Sequence, residues 1–99
     1  MFTHIVFFWL KDGQPAAERE ALVKSCHELL SKIPTVRQLI VGKPAMTPRD
    51  VVDNSYDVAI CVVLDDRAGH DIYQDHPLHT QFVNRHKPNW KRVQVYDFV

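Results

Sequence analysis

The chain has no surplus of either charge. Lys and Arg number 12, Asp and Glu number 12, and the formal net charge is zero. A nucleic-acid surface needs an excess of cations on one face, so that partner is not expected. Cysteine is scarce: Cys26 and Cys61 are the only two, and each stands in an apolar-periodic segment. Neither has the paired spacing of a disulfide framework or a zinc site, and both read as buried thiols in a reducing compartment. Apolar residues make up 45% of the chain but are too scattered for a membrane span. Repeats, low-complexity tracts and interdomain linkers are also missing. Phe2 to Leu10 has no basic segment before it and no small-residue cleavage site after it, contains His4, and runs into Lys11-Asp12-Gly13. It reads as a strand and not a secretory leader, and the expected location is the cytoplasm.

What the chain does carry is alternation and periodicity. Phe2 to Leu10 is rich in aromatic and β-branched residues and predicts a first strand. Phe2, Val6, Phe8 and Leu10 fall on one face and Ile5, Phe7 and Trp9 on the other, so both faces are apolar. Pro15 opens a helix, where its missing N–H costs nothing. Leu22, Cys26, Leu29 and Ile33 then form an apolar stripe before Pro34 stops it. Val36 to Val41 predicts a second strand, residues 45–54 a loop, and Tyr56 to Leu64 a third strand. Asp65-Asp66 supplies an N-cap for a second helix carrying His70, Ile72 and Tyr73. Pro77 is either a kink in it or the first residue of a new helical segment. Leu78, Phe82 and Val83 continue the stripe to Pro88, and Val93 to Phe98 predicts the last strand. The order β-α-β-β-α-β marks an α+β, ferredoxin-like protomer, one domain over residues 1–99. It implies a four-stranded antiparallel sheet with helices on one face. Such helices leave the second apolar face wet, so a homodimer packed sheet to sheet around a barrel-like centre is expected.

The chemistry is densest in Tyr73-Gln74-Asp75-His76-Pro77-Leu78-His79-Thr80-Gln81-Phe82, which sets a phenol and two imidazoles within seven positions. Histidine is the side chain whose unperturbed pKa lies nearest neutrality. His79 suits proton abstraction next to a carbonyl, with Tyr73 donating a hydrogen bond that orients it or holds the nascent enolate. Their separation is not a single-face helical spacing, so they meet only if Pro77 redirects the chain. The alternative is architecture, with His79 tucked under a helix against a backbone carbonyl. His76 precedes a proline, which biases it away from helical geometry, and is expected to cap the following segment or bond to a loop. His27 and His86 read as exposed, His70 as solvated, and Trp9 as core or interface packing. Asp57 and Asp97 are expected to pair with Arg37, Arg92 or Lys91. His70, Asp71, Asp75, His76 and His79 offer donors, but no H-x-x-x-H or facial-triad spacing is present, so no metal and no cofactor is expected.

His4-Ile5-Val6, Lys11-Asp12, Ile33-Pro34, Tyr56-Asp57-Val58-Ala59, Tyr73 before His76-Pro77-Leu78-His79, and Val95-Tyr96-Asp97-Phe98 together resemble a known family. It is the stress-responsive dimeric α/β-barrel (Dabb) domain, and the likeness covers essentially the whole chain. The resemblance implies a ferredoxin-like protomer and a dimer joined through its sheets. The family includes a plant olivetolic acid cyclase, which closes a linear polyketide by aldol condensation without a cofactor. By similarity to it, His79 and Tyr73 would be catalytic and His4 would face the same pocket. Two further polar positions of that pocket fall near Cys26 and Val58, which lack the phenol and imidazole found there. With His76 and Phe82 they complete the expected pocket. The expected function is binding of a small hydrophobic carbonyl or aromatic compound, with or without its transformation by cofactor-free acid–base chemistry. Two alternatives stand beside it: a non-enzymatic stress-responsive dimer with structural histidines and, by fold alone, a cofactor-independent monooxygenase.

Overall fold

A computed structural model describes residues 1–99. In chain order the elements are β1 (Phe2–Leu10), α1 (Ala16–Glu28), β2 (Val36–Gly42), β3 (Val58–Leu64), α2 (Arg67–Asp75), α3 (Pro77–His86) and β4 (Trp90–Phe98). Single 3₁₀ turns occupy Leu30–Lys32 and Lys87–Asn89. The strands form one antiparallel sheet in the order β2-β3-β1-β4. This is the ferredoxin-like arrangement expected from the sequence, with the second helix split in two. No helix is long and apolar enough to cross a membrane.

Register sorts the strand residues between two faces. His4 lies opposite Val62 and Asp97, Val6 opposite Ile60 and Val95, and Phe8 opposite Val58 and Val93. These residues share the face on which the helices pack, since side chains two apart point the same way. Ile5, Phe7 and Trp9 face away, beside Cys61, Ala59, Tyr96, Gln94 and Arg92. The two apolar faces of β1 therefore have different fates. Phe2, Val6, Phe8 and Leu10 are buried, while Ile5 and Phe7 are half-buried and Ile40, Tyr96 and Phe98 stand exposed on the open side.

Between β3 and α1 with the turn after it, Leu22, Cys26, Leu30, Val58 and Val62 are fully buried. Each such aliphatic side chain contributes about 1.5–3 kcal/mol relative to its exposed state. The predicted stripe differs here in one respect. α1 ends at Glu28, Leu29 is only half-buried, and Leu30 takes the inward position. Pro34 disfavours a helical Ile33, which is extended (φ −68°, ψ 126°), so the chain tightens into a 3₁₀ turn first.

Other ends are set by polar side chains. Asp66 caps α2, its Oδ1 accepting the Gly69 N–H at 2.8 Å. β3 begins at Val58 and not Tyr56, because Asp57 is used across the sheet end: its Oδ2 accepts the Leu10 N–H at 2.7 Å. The expected pairings of Asp57 and Asp97 with Arg37, Arg92 or Lys91 are not the ones formed. Arg37 holds Asp65 at 2.7 Å, Lys91 holds Asp12 at 3.1 Å, and Arg92 lies 4.3 Å over the Trp9 ring. Asp57 instead has the Arg19 guanidinium at 3.9 Å.

Candidate functional site

His76 solves the problem of the proline. It is extended (φ −65°, ψ 141°), closing α2 and capping α3 at once. Its Nδ1 accepts the Leu78 N–H at 3.1 Å, and Pro77 takes the first helical position, where no N–H is needed. The chain turns between the two helices, so Tyr73 from the last turns of α2 meets His79 from the first turn of α3. Their rings stand edge to face with centroids 5.0 Å apart, and His4 on β1 meets Tyr73 the same way at 5.7 Å.

These three groups line a cavity of about 160 Å³ between the helices and the β1/β4 side of the sheet. Gln74 is the other polar residue of its wall; Val6, Phe8, Phe82, Trp90, Val93 and Val95 supply most of the apolar surface. A space of this size is large enough for a single aromatic ring. Of the expected pocket residues, Phe82 is in the wall and Cys26, Val58 and His76 are not. Cys26 and Val58 are fully buried in the packed layer under α1, and His76 is committed to its cap.

Burial sets the protonation states. His79 is held below the usual histidine value by burial first, with His4 and His70 adding to the depression. His4 is also depressed by burial, which outweighs the upward pull of the hydrogen bond and charge of Asp97. Tyr73 is raised by burial, and Cys26 is pushed up to about 12 for the same reason. At neutral pH the cavity thus presents neutral imidazoles and an intact phenol. A neutral imidazole can accept a proton, and a buried phenol can donate a hydrogen bond to a developing oxyanion.

Behind His4 lies a polar cluster that local spacing does not reveal. Asp97 sits directly across β1–β4 from His4, and its Oδ1 is 2.5 Å from His4 Nδ1. A carboxylate accepts, so His4 carries its hydrogen on Nδ1. His70 is not solvated as expected: its side chain is 13% exposed and stacks on Phe2 at 4.5 Å. Its Nδ1 donates to Asp71 Oδ1 at 3.1 Å. The Gln74 amide nitrogen lies 3.3 Å from His4 Nε2 and 3.4 Å from His70 Nε2, donating to both. One donor atom each from His4, His70 and Asp97 falls within 4.8 Å of the others, a set from three elements able to hold a cation. His86, also read as exposed, is buried against Phe82, with Nε2 unpartnered. The helical spacings of His70 with Tyr73 and of Phe82 with His86 were the available signals for both inward positions.

The architecture is that of dimeric ferredoxin-like proteins. One such protein of unknown function from Thermobifida fusca YX matches with a TM-score of 0.84 at 23% identity, covering 99% of this chain and 89% of that one. A Dabb family protein with a ferredoxin-like fold from Mesorhizobium loti MAFF303099 gives 0.81 at 26% identity, covering 99% and 94%. A hydroxynitrile lyase from Passiflora edulis gives 0.82 at 17% identity, covering 98% and 90%. The model of the stress responsive A/B barrel domain, Dabb, matches residues 2–99, and the chain belongs to that family. No curated protein matches the sequence significantly.

Proposed function

We propose that the protein binds a small hydrophobic carbonyl compound in the cavity beneath α2 and α3 and moves a proton on it without a cofactor. The observation that carries this reading is the convergence of His79, Tyr73 and His4 on one apolar chamber. In the reaction, neutral His79 takes a proton from the carbon next to the carbonyl. The electron pair shifts onto the carbonyl oxygen, and the Tyr73 phenol donates a hydrogen bond to the resulting enolate. His4, fixed by Asp97, is the second imidazole facing the bound compound. Return of the proton from His79 regenerates the enzyme. Where the same molecule carries a second carbonyl, attack of the enolate carbon on it closes a ring. The Passiflora edulis neighbour, named a hydroxynitrile lyase, supports the reading only by sharing the fold.

The test is hydrogen–deuterium exchange at the methyl group of acetophenone, a probe of single-ring size, followed by NMR in heavy water. Exchange catalysed by the wild-type chain should fall by about 10²–10⁴-fold in His79→Ala, with the fold intact by circular dichroism. Tyr73→Phe should lower the rate without moving the pH dependence that His79 imposes. Equal exchange by wild type and His79→Ala would discard the mechanism. A His79→Ala chain that does not fold would favour the non-enzymatic alternative, in which the imidazole serves the scaffold.

We also propose that two copies pair through the open sheet face. Ile40, Tyr96 and Phe98 there are exposed apolar side chains beside half-buried Ile5, Phe7 and Cys61. Packing two such faces about 10 Å apart removes them from water. Sedimentation should give a dimer at micromolar concentration, and a folded monomer would refute the pairing.

A further inference from the structure

We infer that His4, His70 and Asp97 form a binding site for one divalent transition cation of the zinc class. The inference does not rest on the proposed reaction. His70 donates from Nδ1 to Asp71, and its Nε2 accepts from the Gln74 amide, so that nitrogen presents a lone pair. That lone pair lies 3.9 Å from Asp97 Oδ2. The gap is too long for a hydrogen bond, and the lone pair otherwise has only the long 3.4 Å contact from the Gln74 amide, which a metal ion can replace. Metal–ligand bonds of about 2.0–2.2 Å to an imidazole nitrogen and a carboxylate oxygen bridge a separation of this size. His4 supplies the third donor, already against Asp97. One ligand atom from each residue lies within 4.8 Å of the others, so an ion would draw His70 inward and part the His4–Asp97 hydrogen bond.

The chemistry of the set selects the ion. Two imidazoles and one carboxylate suit zinc and its transition-metal neighbours, whereas magnesium and calcium prefer all-oxygen shells. One carboxylate in a half-open site leaves positions for water. Asp97 is 38% exposed, so the ion has a route in from solvent, while His4 at 5% and His70 at 13% form the sheltered side. Outer partners are also in place. Asp71 fixes the tautomer of His70, as carboxylates do for metal-bound histidines. Binding through His4 Nδ1 moves the imidazole hydrogen to Nε2. A half-turn of the Gln74 amide then offers its oxygen as the acceptor in place of the nitrogen, so no proton is left unplaced.

The test is isothermal titration of the full, chelator-treated chain with zinc chloride, repeated as a thermal melt. The wild type should take up one zinc per chain and melt at a higher temperature with it. His70→Phe keeps a ring against Phe2 but removes both nitrogens, and should bind at least about tenfold more weakly, the loss expected when even an outer partner of a metal site is removed. Asp97→Asn should show the same loss, and if it fails to fold, His70→Phe decides alone. His27→Ala, an exposed histidine elsewhere, should bind as the wild type. His79→Ala should also keep its zinc while losing exchange activity, which separates this inference from the proposed reaction. Absence of zinc uptake by the wild type, or unchanged affinity in His70→Phe, would overturn it.

Discussion

The helix-covered face of the sheet is built in two halves that treat the same fold differently. Under α1, Leu22, Cys26, Leu30, Val58 and Val62 meet with nothing left exposed. Under α2 and α3 the wall is equally apolar for the most part, yet a cavity of about 160 Å³ remains, with His4, Tyr73, Gln74 and His79 turned into it. The first half excludes water by filling space; the second leaves a partly open space armed with His4, Tyr73 and His79, whose protonation burial has adjusted. Cys26 shows the distinction well. It stands where the family resemblance implied a polar pocket residue, and here it is a sealed thiol with its pKa pushed up to about 12. The titratable groups that burial shifts on this face, apart from Cys26, therefore gather on the β1/β4 side.

The largest separation between the halves should come from removing volume. Leu30→Ala opens a void in the filled half and should cost about 2–5 kcal/mol in denaturant unfolding. Val95→Ala, in the wall of a space that is already open and on a residue 41% exposed, should cost under about 1 kcal/mol. Equal losses would erase the contrast. Adding volume inverts the effect. Val58→Phe should destabilise by about 1–3 kcal/mol through overpacking, while Val95→Phe grows into the cavity, leaving stability nearly unchanged and blocking acetophenone binding in a competition assay.

Acid should find the armed half before the filled one. His4, His79 and His86 are all depressed by burial, so between their folded values and about 6.5 the unfolded chain binds more protons than the folded one. Their contribution to stability is complete above about pH 6.5 and declines as pH falls through the folded values. Chemical unfolding measured from pH 7.5 down to 5 should show this decline, flattened in His86→Phe and unchanged in His27→Ala. A pH-independent wild type would show that the three imidazoles keep ordinary values.

The sequence made the scaffold legible because strand and helix periods are local. Aromatic and β-branched residues marked Phe2–Leu10 as a strand, and Asp66 and Pro77 marked helix starts that the structure contains. The cluster behind His4 was less accessible. The His4–Asp97 contact spans almost the entire chain and depends on strand register, which a single sequence leaves free. His70 was read as solvated because it lies near the start of a helix, although its place on the Tyr73 face of α2 pointed inward. Local metal spacing was absent for the same reason: three elements, and no single motif, bring the donors together. Leu29 and Leu30 exchanged roles because a 3₁₀ turn advances the chain differently from an α-helix, and only the backbone restriction at Ile33-Pro34 hinted at it.

The smallest predicted effect concerns how the armed half is held in place. His76 accepts the Leu78 N–H through its ring, and its backbone carbonyl accepts the N–H groups of His79 at 2.9 Å and Thr80 at 3.1 Å. His76→Ala deletes the ring contact and keeps the backbone ones, so global stability should fall by only about 0.5–1 kcal/mol, within the range of a lost helix cap. The local consequence should be clearer than the global one. The first turn of α3 carries His79, and freeing its leading N–H should speed amide exchange at Leu78 while residues of α1 keep their protection. His76→Asn, whose side-chain oxygen can accept the same N–H, should restore most of that protection. If Leu78 exchanges no faster in His76→Ala, the cap is not what orders the turn, and the position of His79 over the cavity depends on packing alone.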